Sequence, residues 1–86
     1  MSDDLEAAIT REILVLTAAR GVGKTICPSE VARAVNADEW RSLMTRVRRI
    51  AASMAKTGQI AIYRKGKIID LSAMKGVIRL GMLPEP

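Results

Sequence analysis

Apolar residues recur every three or four positions along the first two thirds of the chain, which is the spacing of one face of an α-helix. This spacing predicts three helices, over residues 3–19, 28–35 and 39–57. Gly21 and Gly58 follow the first and third helices, where glycine is a common stop. Pro28 suits the first position of the second helix, because its missing N–H would have no partner there in any case. Between the first two helices, residues 25–27 are prone to form a short β-strand.

In the last third of the chain, apolar residues recur at every second position. Residues 59–71, QIAIYRKGKIIDL, indicate two β-strands joined at Lys65-Gly66. A two-residue loop there sets the register across the hairpin: Tyr63 opposite Ile68, Ile62 opposite Ile69, and Ile60 opposite Leu71. The four apolar members of the last two pairs then share one face, which can close onto the helices. Beyond the hairpin we expect a short extended segment and a flexible tail over residues 81–86.

The predicted order of elements is helix, strand, helix, helix, strand, strand, within one domain that covers residues 1–86. This α+β order is that of a small winged helix-turn-helix domain, in which three helices support a C-terminal β-hairpin, the wing. Aromatic residues make up only 2% of the chain, so the core must be aliphatic. Trp40, the one tryptophan, is expected to anchor that core rather than to stack on a base.

One short segment nearly matches the sequence pattern of a nucleotide-binding loop. Residues 18–26, AARGVGKTI, nearly fit the phosphate-binding pattern G-x-x-x-x-G-K-[ST], with Ala18 in place of the first glycine. Such a loop requires a strand before it and a helix that begins at its lysine. Here the residues before it have helical spacing, and Lys24 is followed by an extended stretch. We therefore interpret the segment as an ordinary loop, with Arg20 and Lys24 as secondary candidates for phosphate contact.

The composition argues against an enzyme. The chain has no histidine, which removes the commonest general base and the commonest transition-metal ligand. The single cysteine, Cys27, cannot form an intramolecular disulfide, so we expect a reducing, cytoplasmic location. We interpret Cys27 as a buried structural thiol, and we expect no cofactor. No apolar run approaches the roughly 20 residues of a membrane span, so no membrane partner is expected.

The basic residues are distributed unevenly. Lysine and arginine number 14 against nine acidic residues, for a formal net charge of +5, and residues 41–67 contain no Asp or Glu. Four of the nine acidic residues lie within residues 1–12, against Arg11 alone, so positive charge concentrates on the third helix and the wing. The planar guanidinium of arginine can donate pairs of hydrogen bonds to guanine edges and to phosphate. We therefore predict that these two elements bind double-stranded DNA, as in a transcriptional regulator. The candidate contacts are Arg41, Thr45, Arg46, Arg48 and Arg49 on the helix and Arg64, Lys65 and Lys67 on the wing.

The same pattern leaves other functions open. A solvated helix face also carries charge, so a protein-interaction module with an acidic protein partner is the first alternative, and RNA binding is the second. Tyr63, on the outer face of the wing, is a candidate for stacking or partner contact. A single copy has a small footprint on DNA, so a homodimer also stays open, although no dimerisation helix is evident.

Three segments carry a resemblance to a known family. Residues 26–35 (ICPSEVARAV), 40–70 (WRSLMTRVRRIAASMAKTGQIAIYRKGKIID) and 75–80 (KGVIRL) are similar to a family of short bacterial proteins classed as a domain of unknown function. The shared pattern is CPSEVA, WRxLM, GxI and a closing GxIRL. The resemblance implies a winged-helix fold and no established activity, substrate or cofactor. Val77 stands where the family has proline, and Arg79 of the closing motif is expected to join the charged face or to pair with Asp70.

Overall fold

The structure, a computed structural model, describes residues 3–84. Its helices are α1 (Asp3–Arg20), α2 (Pro28–Val35) and α3 (Trp40–Lys56). Its strands are β1 (Thr25–Ile26), β2 (Ala61–Arg64), β3 (Lys67–Ile68) and β4 (Arg79–Gly81), with a 3-10 helix at Leu71–Ala73 between the last two. The order α-β-α-α-β-β-β confirms the predicted α+β winged-helix fold and adds one strand to it.

The helices begin and end within one residue of the predicted positions, because local signals fix their ends. After α1, Gly21 has a φ of 100°, a conformation that glycine adopts without strain. At the start of α2, the Cys27 backbone N–H donates to Glu30 Oε2 at 2.8 Å, and Pro28 takes the first helical position. Lys24 is followed by β1 rather than by a helix, as expected for a loop that does not cradle a nucleotide.

The wing hairpin has the predicted register. β2 and β3 are antiparallel, with Tyr63 opposite Ile68 and Arg64 opposite Lys67. The Ile69 backbone N–H donates to the Ile62 carbonyl at 3.0 Å, so that predicted pair also forms.

The predicted pairing of Ile60 with Leu71 is wrong. The Ser72 backbone N–H donates to Asp70 Oδ1 at 3.3 Å, which caps the 3-10 helix that begins at Leu71. A short polar side chain that binds backbone two residues ahead competes with the strand ladder. The hairpin therefore ends earlier than the alternation of apolar residues indicates.

The closing GxIRL segment is the largest difference from the prediction, because it forms a central strand. The sheet order is β1-β4-β2-β3, with every pair antiparallel. Leu80 of β4 lies between Ile26 of β1 and Ile62 of β2, and all three side chains are buried. Gly81, the first residue of the predicted tail, is the last residue of β4, and residues 85 and 86 lie outside the described part of the chain.

An aliphatic core lies between the three helices and the sheet. Ile9 and Ile13 of α1 are fully buried, as are Val47 and Ala51 of α3. Trp40 is half-buried and packs against the edge of this core, in agreement with its predicted role. α3 is thereby held against both the other helices and β2, which fixes the orientation of its outer face.

Candidate nucleic-acid interface

The helix α3 has one buried face and one polar, exposed face. Its buried side chains are Leu43, Val47, Ile50, Ala51 and Met54. Arg41, Thr45 and Arg49 recur at four-residue spacing on the opposite side, and all three are exposed. These three predicted contact residues therefore share one water-facing stripe.

Arg46 and Arg48 lie at the edges of that stripe and are half-buried. Arg48 Nη1 donates to the Gly76 carbonyl oxygen at 2.9 Å, so this guanidinium holds the segment that leads into β4. A hydrogen bond from a charged donor of this kind stabilises the fold by about 1.5–3 kcal/mol when it is shielded from water, and by less at an exposed site. One N–H group of Arg48 is thus engaged in a hydrogen bond within the protein and is not free to contact a ligand.

Arg49 contacts the acidic start of α1. Its Nη2 lies 3.3 Å from Glu6 Oε2, and the two side chains are 65% and 44% exposed. Exposed ion pairs of this kind contribute about 0–1 kcal/mol, because water and salt screen the charges. The Glu6 contact therefore weakens the positive potential at Arg49 without removing the guanidinium from solvent.

Arg33 of α2 joins the basic surface although the sequence analysis did not select it. Its guanidinium carbon lies 4.3 Å from the centroid of the Trp40 ring, and that of Arg41 lies 4.4 Å from the same centroid. A stacked guanidinium keeps its in-plane N–H donors free, so the tryptophan orients both cations without consuming their hydrogen bonds. The exposed carboxylates of Asp38 and Glu39 follow α2 and lower the net charge nearby.

The wing carries three cations on a tight turn. Arg64 and Lys67 are directly opposite each other, and like charges in that position destabilise a hairpin. Lys65 has a φ of 53° and Gly66 a φ of 81°, the positive values that a type I′ turn requires at both central positions. Within residues 3–84, the acidic partners in salt bridges are Glu6 and Glu30, and neither pairs with the wing.

Lys65 is an unusual residue for its position in the turn, since asparagine and glycine are the residues that favour this conformation. We expect Lys65→Asn to raise the free energy of unfolding by up to about 1 kcal/mol, measured by urea denaturation. On the prediction that Lys65 contacts phosphate, the same variant should bind duplex DNA more weakly, and the slope of log Kobs against log salt should be lower in magnitude by about 0.9. Lys65→Gly relieves the same strain and should lose the same contact; equal or tighter DNA binding by both variants would remove Lys65 from the site.

The family model DUF3253, described as a protein of unknown function, matches residues 6–83. The chain belongs to the DUF3253 family. The match extends from the first turns of α1 past the end of β4, so the resemblance predicted from the CPSEVA to GxIRL motifs is confirmed. No curated protein matches the chain. Membership in DUF3253 assigns no activity.

Arg79 in the closing motif of this DUF3253 chain is used to join strands. The predicted pairing with Asp70 is wrong: the Nε of Arg79 donates to Thr25 Oγ1 at 2.6 Å and its Nη2 to the Thr25 carbonyl at 3.1 Å. Arg79 is exposed, and its place on the charged face stays a prediction. The Asp70 carboxylate instead caps the 3-10 helix. The conformation of β1 beside β4 places Thr25 within reach, a contact across 54 residues that sequence spacing does not reveal.

Arg20, a secondary candidate for phosphate contact, also has partners within the molecule. It donates to the Thr25 carbonyl at 2.8 Å and to Glu30 Oε1 at 2.7 Å. The Cys27 backbone N–H and this guanidinium hold the pKa of Glu30 below its usual value, so the carboxylate stays charged to a lower pH than that of an unperturbed glutamate. The end of α1 is thus fixed to the start of α2.

The side chains of Tyr63 and Cys27 have mainly structural surroundings. Tyr63 is half-buried, and its hydroxyl donates to the Met82 carbonyl at 3.4 Å. Cys27 is half-buried rather than buried as predicted, and its Sγ accepts a hydrogen bond from the Ser29 hydroxyl at 3.0 Å. Over residues 3–84, no three His, Cys, Asp or Glu side chains group in a way that could hold a metal ion. None of the helices in this range is both long and apolar enough to cross a membrane.

Proposed function

We propose that this DUF3253 protein binds double-stranded DNA, with α3 in the major groove and the β2–β3 wing on the phosphate backbone. The observation that carries the proposal is the crowding of basic side chains at the tip of the wing. Arg64, Lys65 and Lys67 crowd onto one turn, two of them directly opposite and one in a left-handed conformation, with no acidic partner among the residues that the structure describes. An arrangement that opposes hairpin stability becomes favourable when a polyanion neutralises it.

The stripe on α3 supplies the second half of the proposed interface. Arg41, Thr45 and Arg49 span nine residues, or about 12 Å along the helix. A helix about 10–12 Å in diameter with its side chains fits a major groove about 12 Å wide. The arginine guanidinium can donate hydrogen bonds to guanine edges or to phosphate, and the threonine hydroxyl can bond to base edges as a donor or an acceptor. Stacking on Trp40 orients Arg41 in advance and lowers the entropy lost on binding. Arg33, stacked on the same ring, extends the basic surface toward α2.

The proposal includes a non-enzymatic role in the cytoplasm as a regulator of transcription. The chain has no histidine and a single cysteine, and its basic groups are arginine and lysine rather than groups that titrate near neutral pH. Arginine and lysine positioned on a helix and a hairpin bind anions without transforming them. DNA is preferred over RNA because the deep, narrow major groove of an RNA duplex does not admit side chains for reading.

Titration of a random-sequence DNA duplex at several salt concentrations tests this function. About five phosphate contacts predict a slope of log Kobs against log salt near −4 to −5. An RNA duplex in a parallel titration should bind more weakly at each salt concentration. Absence of DNA binding at low salt would contradict the proposal and favour the protein-interaction alternative. Tighter binding of the RNA duplex than of the DNA duplex would favour the RNA-binding alternative.

The Glu6–Arg49 contact yields a further expected result. Glu6→Gln should raise the affinity for duplex DNA by about two- to five-fold, because an exposed pair contributes up to about 1 kcal/mol and its loss frees Arg49. Fluorescence anisotropy with a labelled duplex measures the change. Glu12→Gln, on the same helix, alters the net charge equally and is the matched control. An equal gain for both variants would show that net charge alone, and not Arg49, is responsible.

A further inference from the structure

The helix α1 exposes apolar side chains on the side opposite its buried face, and no other element within residues 3–84 covers them. Ile9 and Ile13 face the core, whereas Leu14 and Val15 on the other side are 41% and 52% exposed. Val22, just past the helix, is 44% exposed. A globular surface helix ordinarily carries polar residues opposite its buried stripe. The exposed leucine and valine on that side of α1 therefore indicate a surface that a partner can cover.

The exposed residues of α1 recur with the spacing of a helix–helix seam. The seam positions alternate by three and four residues, and all are exposed: Asp4, Ala7, Arg11, Leu14 and Ala18. A period of 3.5 residues keeps one seam facing a second helix along its whole length. Val15 lies beside the seam and widens it. We call this set of six residues the outer α1 face.

We propose that the outer α1 face pairs antiparallel with the same face of a second copy of this chain. In a two-fold pair, residue i of one copy meets residue j of the other, and j meets i. The register that matches the seam positions sets Ala7 opposite Ala18 and Arg11 opposite Leu14 of the second copy. The two alanines permit close approach of the backbones, and the aliphatic stem of Arg11 covers the leucine while its charge stays in water.

Charge favours a second copy in this orientation over an unrelated apolar partner. In the register given above, Asp4 at the start of one helix meets Gly21 at the end of the other. The Lys24 backbone N–H donates to the Gly21 carbonyl at 3.2 Å, so this exposed basic residue follows closely on the helix end. Antiparallel helix dipoles also set a positive end beside a negative one. The same complementary contact occurs twice, because the pair is symmetric. A parallel arrangement would instead bring the two Asp4 carboxylates together.

The size of the face indicates a reversible dimer. An 18-residue helix is about 27 Å long, and one helix pair buries less than the roughly 800 Å² per partner of a standard stable interface. The outer α1 face shares no residue with the proposed DNA contacts on α3 and the wing. Self-association can therefore be measured without DNA, and its outcome does not depend on whether DNA binds.

Sedimentation equilibrium of the full chain without DNA tests the pairing. The mass should rise from 9.4 kDa toward twice that value as the protein concentration increases. Leu14→Glu should keep the chain at the mass of one copy, and circular dichroism should show an unchanged fold because the side chain is already 41% exposed. Val77→Glu, at an 80% exposed valine outside the face, is the matched control and should still dimerise. A wild-type chain that stays at 9.4 kDa up to millimolar concentration would overturn the proposal.

Cysteine cross-linking tests the orientation. In a Cys27→Ser background, we mix a chain carrying Ala7→Cys with one carrying Ala18→Cys. The antiparallel register predicts disulfides between the two different chains, because only that pair has Cβ atoms within bonding reach. Cross-links that form mainly between two Ala7→Cys chains would overturn it. Neither result involves DNA, so a failed DNA titration leaves this measurement intact.

Discussion

Replacing Arg41 and Arg49 together by glutamate should weaken duplex binding at least about 30-fold, because each arginine contact to DNA contributes about 1–3 kcal/mol. The two guanidinium groups lie on the exposed stripe of α3, four residues on either side of Thr45. Reversal of charge adds repulsion from the phosphates to the loss of attraction. Both side chains are exposed, so the fold should persist, as circular dichroism can verify.

A matched double variant separates local contacts from net charge. Arg11→Glu with Lys75→Glu lowers the formal charge from +5 to +1, as the first variant does, because each reversal removes two charges. Both residues are exposed: Arg11 lies on α1 and Lys75 follows the 3-10 helix, and neither is a predicted DNA contact. We expect this control to lose less than about five-fold in affinity for the duplex, since it acts only through the long-range electrostatic field of the protein. Anisotropy should be recorded at protein concentrations too low for self-association, and equal losses for both variants would contradict the assignment to α3.

Replacing Gly81 by alanine should lower the free energy of unfolding by about 1–3 kcal/mol, the usual cost of forcing an extra carbon into a filled site. Gly81 lies in the central strand β4, and its backbone approaches both Tyr63 and the end of the Gly-rich loop. A Cβ atom there would lie 2.9 Å from Tyr63 Cε1 and 3.0 Å from the Lys24 carbonyl oxygen. The tyrosine ring has some room to tilt, but the carbonyl belongs to the backbone and has little.

Thermal denaturation measures this change directly. For a domain of this size, each kcal/mol shifts Tm by about 4–8 °C, so Gly81→Ala should lower Tm by at least about 4 °C. Tyr63→Phe is the control, because it keeps the ring over Gly81 and removes only a hydroxyl whose hydrogen bond is 3.4 Å long. That control should shift Tm by less than half as much. An unchanged Tm for Gly81→Ala would show that β4 is not packed as the structure has it.

Signals that act over a few residues explain which parts of the fold could be predicted from the sequence. Pro28 and Gly21 mark helix ends through their own backbone preferences, and Gly66 marks the hairpin turn in the same way. The role of β4 could not be predicted, because its partners Ile26 and Ile62 are distant in sequence. A three-residue strand gains its stability from neighbours on both sides rather than from its own composition.

The candidate site was predictable as a distribution of charge but not as a set of available side chains. Helical spacing correctly separated the exposed Arg41 from the buried Val47. Spacing could not show that Arg48 donates to Gly76, 28 residues away, or that Arg49 meets Glu6. Arg33 was missed for the same reason, since only the packing of α2 against α3 brings it over the Trp40 ring.

Mapping of backbone amide shifts by NMR, as a short DNA duplex is added, tests the central claim most directly. The claim is that α3 and the wing together form one DNA-binding surface. We predict that the perturbed amides cluster in residues 41–49 and 64–67, while those of the outer α1 face change little. Perturbations confined to other elements, or none at saturating duplex and low salt, would contradict it.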